Sequence, residues 1–255
     1  MKEDLDSKTL EKKVKQSLLN NPELFNYLGN LGNNRTIFEK VVLYNKLRCD
    51  ALIFTEKRGI IGVEIKTQYD NLNRLNRQLN NYKKVCNYVF VYCHDSHLEK
   101  VKQLLKEHSY GDYVGIISYS TFKGDVIPGL YRKAYSSPVY SIRDAVKMLW
   151  KSEIRDILRV YTTKQAQLAA KDNNYTYASI YPNALQMSSY GYTGIASTKL
   201  NKNQLISNYI GMFGKKIGTK ILAQRFIYGD VDPTKYLKLY HFNDDINKPV
   251  EIGIM

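Results

Sequence analysis

The chain has 255 residues, 44% of them hydrophobic, and a formal net charge of +14. That length buries a sizeable core in one large domain or two smaller ones, and no window holds the roughly 18 uninterrupted apolar residues of a membrane span. Three cysteines, Cys49, Cys86 and Cys93, show neither C-x-x-C spacing nor an even count, which argues against a disulfide framework and a zinc site and leaves them as core thiols.

The N-terminus, MKEDLDSKTLEKKVKQ, is charged and has no apolar h-region, so nothing marks export and a cytoplasmic location is expected. Leu10, Val14, Leu18 and Leu19 recur at helical spacing and predict an amphipathic helix over residues 8–20, broken by Asn20-Asn21-Pro22. A short helical piece from Pro22 to about Leu28 and a loop from Gly29 to Asn34 follow. Three strand-like runs come next, Thr36 to Tyr44, Leu47 to Phe54 and Ile60 to Lys66, the last two joined by a hairpin turn ending in Gly59. Asp70 is placed to N-cap a helix running to about Val85, with Leu72, Leu75, Leu79 and Val85 or Cys86 as its apolar stripe. A buried strand from Tyr88 to Cys93, a helix from about His97 to Glu107 and a strand from Val114 to Ser118 complete an α/β unit.

The second half reads differently. Ser141-Ile142-Arg143-Asp144 is an S-x-x-D cap opening a helix through about Arg159; further helices are expected over Lys164 to Lys171 and Leu200 to Gln224, the last with glycines at 211, 214 and 218. GMFGKKIGTK lacks the spacing of a phosphate-binding loop, and spaced glycines in a helix point instead to close packing. Charge is uneven. Residues 1–120 carry 19 Lys+Arg against 14 Asp+Glu, a balance of +5, whereas residues 121–255 carry 19 against 10, or +9, with no acidic residue from Asn173 to Gly229. Such a surplus binds polyanions through counterion release. Tyr175, Tyr177, Tyr181, Tyr190 and Tyr192 fall in this acid-free stretch, a placement that would suit stacking on unpaired bases; a chain rich in Asn, Lys, Ile and Tyr throughout, as AT-rich coding sequence produces, accounts for them better. A mostly helical, basic region over 126–255 that holds nucleic acid near the α/β unit is the resulting expectation.

Within that unit, two acidic residues and a lysine interrupt strands that otherwise read as buried. Side chains alternate along a strand, so Glu64 and Lys66 share a face opposite Ile61, Val63 and Ile65. Hairpin pairing brings Asp50 to the neighbouring strand, and in one register it sits beside Glu64. Paired carboxylates repel and resist burial unless neutralised, which a hard divalent cation held by oxygen does directly. An isolated E-x-K is common by chance and also describes a solvated ion-pair face. The following helix adds Arg74, Gln78 and Tyr82 at i, i+4 spacing, a guanidinium, an amide and a phenol along one stripe that suits a phosphate backbone. The histidines at 94, 97, 108 and 241 form no H-x-x-x-H or H-N-H set, and no Ser/His/Asp or Cys/His arrangement is evident.

Glu39, Arg48-Cys49-Asp50, Glu64-Ile65-Lys66 and Gln78-Leu79-Asn80-Asn81-Tyr82 together resemble the PD-(D/E)XK nuclease superfamily, the last run being similar to the Q-x-x-x-Y signature of its RecB and AddB branch. More closely, R-x-D, G-x-E-I-K and D-x-L-x-R-L-x-x-Q-x-x-x-Y, carried here by Arg48, Asp50, Gly62, Glu64, Ile65, Lys66, Asp70, Leu72, Arg74, Leu75, Gln78 and Tyr82, are similar to a family of bacterial and phage proteins in that superfamily. Leu149-Trp150-Lys151-Ser152-Glu153 resembles an element of that family's second half, and no Pro precedes Asp50. The resemblance implies a restriction-endonuclease-like core, αβββαβ with a mixed central sheet flanked by helices, over residues 1–125. It implies hydrolysis of DNA phosphodiester bonds with Mg²⁺, for which Mn²⁺ substitutes. Asp50, Glu64 and the carbonyl of Ile65 would bind the metal, Lys66 would position water, and Glu39 would bind a second metal or act as a base. Arg48, Arg74, Gln78 and Tyr82 would orient the backbone. An RNA-directed nuclease and a catalytically inert nucleic-acid-binding protein on the same fold are the alternatives. No membrane partner is expected, and a homodimer suits two cuts on one duplex.

Overall fold

The computed structural model describes residues 6–43, 47–171, 194–234, 240–241 and 250–251. They divide into two compact units, Met1–Ala145 and Val146–Met255. The expected boundary at 125 therefore moves to 145, because the chain forms one more strand before leaving the sheet.

In the first unit, helix α1 (Ser7–Asn20) starts where the Asp6 carboxylate accepts the N–H groups of Lys8 and Thr9 at 3.0 and 3.1 Å. It buries Leu10, Val14 and Leu18. Leu19, expected on that face, is 45% exposed. Ser17 takes the place instead, its hydroxyl 2.5 Å from the Tyr92 hydroxyl. A 3-10 turn (Pro22–Leu28) then leads into β1 (Asn34–Val42), β2 (Leu47–Thr55) and β3 (Gly59–Lys66), an antiparallel meander. Helix α2 (Leu75–Val85), β4 (Tyr88–His94), α3 (Leu98–Glu107), β5 (Val114–Phe122) and β6 (Asp125–Arg132) follow. The six strands lie in chain order, with β3, β4 and β5 parallel and β6 antiparallel to β5. This is a mixed α/β protein built on a six-stranded mixed sheet.

Two elements depart from expectation. Asp70 does not cap α2: its carboxylate closes a turn by accepting the N–H and hydroxyl of Thr67 at 2.7 and 2.8 Å, so residues 70–74 stay non-helical and the helix begins at Leu75. Strand β6 was hidden by Pro128 and Gly129 at its centre. It is an edge strand, where the N–H that proline lacks has no ladder partner to miss, and its residues alternate between exposed and half-buried.

The sheet is covered on both faces. Ile61, Val63 and Ile65 of β3 join Leu10, Val14 and Phe25 in one apolar cluster. The alternate residues of β3 face α2, whose Leu75, Leu79, Tyr82 and Val85 are buried. Gly62 allows this approach: a Cβ there would stand 2.5 Å from Cδ1 of Tyr82 and 2.6 Å from Sγ of Cys86. All three cysteines are free and buried, as expected of core thiols.

The second unit contains α5 (Lys151–Lys171), which follows the short α4 (Ile142–Val146), and α6 (Lys202–Tyr228). The Ser141 hydroxyl accepts the Asp144 N–H at 3.2 Å, so the S-x-x-D cap forms, but the helix it opens ends at Val146 and a new one starts at Lys151. At that start, Glu153 accepts the Trp150 N–H at 2.6 Å. Aromatic edges join α5 to α6, with Tyr161 and Phe213 centroids 4.8 Å apart. Gly214, at φ 62, breaks α6 into two arms. A two-residue ladder pairs β7 (Tyr240–His241) with β8 (Val250–Glu251). The tyrosine cluster at 175–192 and the end of the first expected strand at Tyr44 lie outside the described residues.

Candidate active site in the first unit

The β2–β3 ladder ends at the pair Ala51–Val63. Continuing its register sets Asp50 against Glu64, but there the two strands part, because the Tyr82 hydroxyl stands between them. It accepts the Asp50 N–H at 2.8 Å and donates to the Val63 carbonyl at 3.2 Å, replacing a direct backbone bond. The Asp50 carboxylate turns across the gap and accepts the Ile65 N–H at 2.8 Å. Thus one buried phenol from α2 opens the ladder where two acidic side chains meet.

Glu64 is fully buried, and its Oε1 lies 2.6 Å from the Lys66 ammonium, which is itself 6% exposed. The shared face expected from strand alternation brings these two together. Its Oε2 is buried and has no hydrogen-bond partner. Burial pushes the Glu64 carboxyl above its ordinary range, against the pull of Lys66 and of the nearby Tyr82 hydroxyl, whose single proton is directed to the Val63 carbonyl rather than to Oε2. Asp50 is pushed up to about 7, first by burial and then by the charge of Glu64, while the Ile65 N–H and Lys66 act in the opposite direction.

Two carboxylates raised by burial, one of them further by the charge of the other, and one with a buried oxygen left unpaired, are an oxygen-donor set that fits a hard divalent cation. Among the described residues no group of three or more His, Cys, Asp or Glu gathers to hold a metal. Asp50 and Glu64 would therefore be the side-chain ligands, leaving further positions to water and substrate oxygens, as Mg²⁺ readily accepts. Ile65 contributes its N–H to Asp50, and its side chain belongs to the core.

Glu39 stands apart from this pair. Its backbone, at φ 54, interrupts the β1–β2 ladder opposite Asp50, and its exposed carboxylate meets the Lys15 ammonium on α1 at 2.5 Å. Its charge reaches Asp50 only as the weakest of the influences on that group. The expected stripe Arg74, Gln78, Tyr82 also divides: Tyr82 is fully buried as the strut described above, so it cannot touch a phosphate.

The polar face of α2 is instead Arg74, Arg77, Gln78 and Asn81, which with Arg48 and Asp50 line a half-enclosed cleft of about 300 Å³. Arg77 and Asn81 were missed in the sequence, although i, i+3 and i+7 spacing from Arg74 puts all three on one face. Gln78 presents a second buried oxygen without a partner. His94 and His97 serve the end of β4. His94 Nδ1 accepts the Ser96 N–H at 3.2 Å, capping a 3-10 turn, and His97 Nε2 lies 3.0 Å from the Thr67 carbonyl.

Fold and site together define a mixed α/β protein with a buried Asp-Glu-Lys centre beside a basic cleft. The family described as Bacteriophage P4 protein cII matches residues 4–197, and the chain belongs to that family. No curated protein sequence matches the chain. Among solved structures, a protein of unknown function from Silicibacter pomeroyi, SPO1766, is similar at 14% identity and a TM-score of 0.33, over 55% of this chain and 82% of that one. SfsA of Pyrococcus furiosus, in complex with Ca²⁺, is similar at 17% identity and a TM-score of 0.29, over 49% of this chain and 61% of that one. No helix among the described residues is long and apolar enough to cross a membrane.

Proposed function

We propose that this chain is a metal-dependent nuclease that hydrolyses phosphodiester bonds of DNA, on a restriction-endonuclease-like core of the PD-(D/E)XK type. The observation that carries the reading is the unpaired, buried Oε2 of Glu64 beside Asp50, in a site that also holds an ion-paired lysine. Burying a carboxylate oxygen with no donor costs free energy, which a bound cation would offset. The element order α1, β1–β3, α2, β4 is the αβββαβ order that the resemblance implies, which supports the same reading.

When bound, a divalent cation on Asp50 and Glu64 lowers the pKa of an attacking water and counters charge on the scissile phosphate. The chain's own residues do the rest. Lys66 donates from its ammonium to the water or to a non-bridging phosphate oxygen, and Glu64 Oε1 fixes that ammonium in place. Tyr82 holds Asp50 at the opened ladder. Arg48, Arg74 and Gln78 orient the polynucleotide along the cleft.

The test incubates purified protein with Mg²⁺ or Mn²⁺ and linear duplex, supercoiled and single-stranded DNA and RNA, beside Asp50→Ala and Lys66→Ala. Metal-dependent cleavage of DNA by the wild type alone is the expected result. Identical behaviour of all three proteins on every substrate ends the reading. Salt-sensitive binding without cleavage would assign the chain to inert nucleic-acid binding instead, and cleavage confined to RNA would move the substrate.

A further inference from the structure

Arg48, Arg74 and Arg77 converge on the one cleft that also reaches Asp50, from two different elements, β2 and the start of α2. None of the three meets a carboxylate or any other hydrogen-bond acceptor of the described residues, whereas Lys15, Lys66, Lys102, Arg159 and Arg225 are all ion-paired. Three unpaired guanidiniums around about 300 Å³ repel one another in the empty cleft. They also present planar, fork-like donors whose natural complement is a phosphate oxygen pair.

The charge needed is more than a chain phosphodiester offers. An internal phosphate carries one negative charge, whereas a terminal phosphomonoester carries about −1.5 to −2 at pH 7 and has three oxygens free to accept. The cleft is half-enclosed rather than a flat track, and the lining adds only one acid, Asp50, at the catalytic end.

We propose that this cleft is a subsite for a terminal phosphomonoester of a polynucleotide, so that the nuclease works from phosphorylated ends. The inference rests on the nuclease reading above and narrows its substrate to strand ends. Arg77, which the sequence did not single out, is the end-recognising residue, with Arg48 and Arg74 sharing the charge. Whether the phosphate is a 5′ or a 3′ terminal group is set by strand polarity, and the two share the same chemistry.

The experiment has a binding arm and a cleavage arm. Binding of one oligonucleotide bearing a 5′-phosphate, a 3′-phosphate or hydroxyls at both ends is measured by anisotropy in EDTA, with wild type and Arg77→Gln. One phosphorylated form should bind at least about tenfold tighter than its hydroxyl twin, as charge-assisted bonds to an anion predict, and Arg77→Gln should erase that difference while leaving the hydroxyl form's affinity within about twofold. Equal affinity of all three forms for the wild type overturns the proposal, as does a preference that Arg77→Gln retains. Calorimetric unfolding of Arg77→Gln at the wild-type temperature separates lost recognition from lost folding. In the cleavage arm, Mg²⁺-dependent digestion of phosphorylated linear DNA with covalently closed circles spared is expected. Digestion of circles and of hydroxyl-ended DNA at the same rate refutes end recognition while leaving the nuclease reading standing. An end preference in binding with no cleavage of any substrate does the reverse.

Discussion

Replacing Asp50 by Asn should make the protein more stable and catalytically dead. In the folded chain Asp50 is pushed from 3.8 up to about 7, chiefly by burial and the neighbouring Glu64 charge. Converted at about 1.4 kcal/mol per tenfold change, ionising it in place costs about 4 kcal/mol at high pH. Its side chain keeps one side on the cleft, so about half of that, ~2 kcal/mol, is the working figure. An amide removes the charge yet keeps an oxygen to accept the Ile65 N–H. The sign follows from linkage: a carboxyl whose folded pKa lies above its unfolded one adds stability at low pH, and that contribution is lost as pH rises from 3.8 through about 7. In EDTA at pH 8, Asp50→Asn should therefore melt about 4–8 °C above wild type by calorimetry. The gap should shrink as pH falls and close only near pH 3, below the unfolded value of 3.8, where Asp50 is protonated in both the folded and the unfolded chain. Mg²⁺ should raise the wild-type melting temperature and leave the variant unmoved. A variant that melts lower than wild type at pH 8, or a gap that does not change with pH, refutes the reasoning.

Other substitutions probe the parts separately. Gly62→Ala should drive a methyl into the Tyr82 ring and Cys86 sulfur, 2.5 and 2.6 Å away, costing about 1–3 kcal/mol in denaturant unfolding and lowering cleavage by displacing the strut. Tyr82→Phe removes only the hydroxyl that joins Asp50 N–H to the Val63 carbonyl, so a loss of about 1–3 kcal/mol with the fold retained is expected, and an unchanged midpoint would show that water replaces it. Lys66→Met leaves Glu64 buried without its partner and should cost about 3–5 kcal/mol at neutral pH, most of which the double variant Glu64→Gln, Lys66→Met should recover. Glu39→Gln, whose carboxylate meets Lys15 at the surface, should change stability by less than about 1 kcal/mol and leave cleavage within a few-fold of wild type.

The order of elements through β5 was legible in the sequence because each has a strong period and a clear stop: Asn20-Asn21-Pro22 after α1, Gly59 in the hairpin, Gly62 and the odd-numbered apolar residues of β3. Strand β6 was illegible because Pro128 and Gly129 carry breaker signals that only an edge position excuses. The start of α2 was misread for a similar reason. Asp70 has the side chain of a cap, and a cap and a turn closed on Thr67 use the same oxygen; which N–H it takes is decided by the chain's path off β3, a tertiary matter.

Tyr82 marks the deeper limit. In sequence it completes a polar stripe with Arg74 and Gln78, and periodicity alone assigns it to the surface of the cleft. Its ring is drawn inward by the space over Gly62, and its hydroxyl finds the two backbone groups that the parting of β2 and β3 leaves unsatisfied. Those backbone groups have no signature in the residue string, since every residue carries them. The same parting lets the Asp50 carboxylate reach Ile65 and brings it under the influence of Glu64. An acidic pair in an unbroken ladder would have kept its side chains on a closed, pleated face. The arrangement of the acidic pair thus comes from a local failure of sheet pairing, enforced by one phenol and one missing methyl group, rather than from the acidic residues alone.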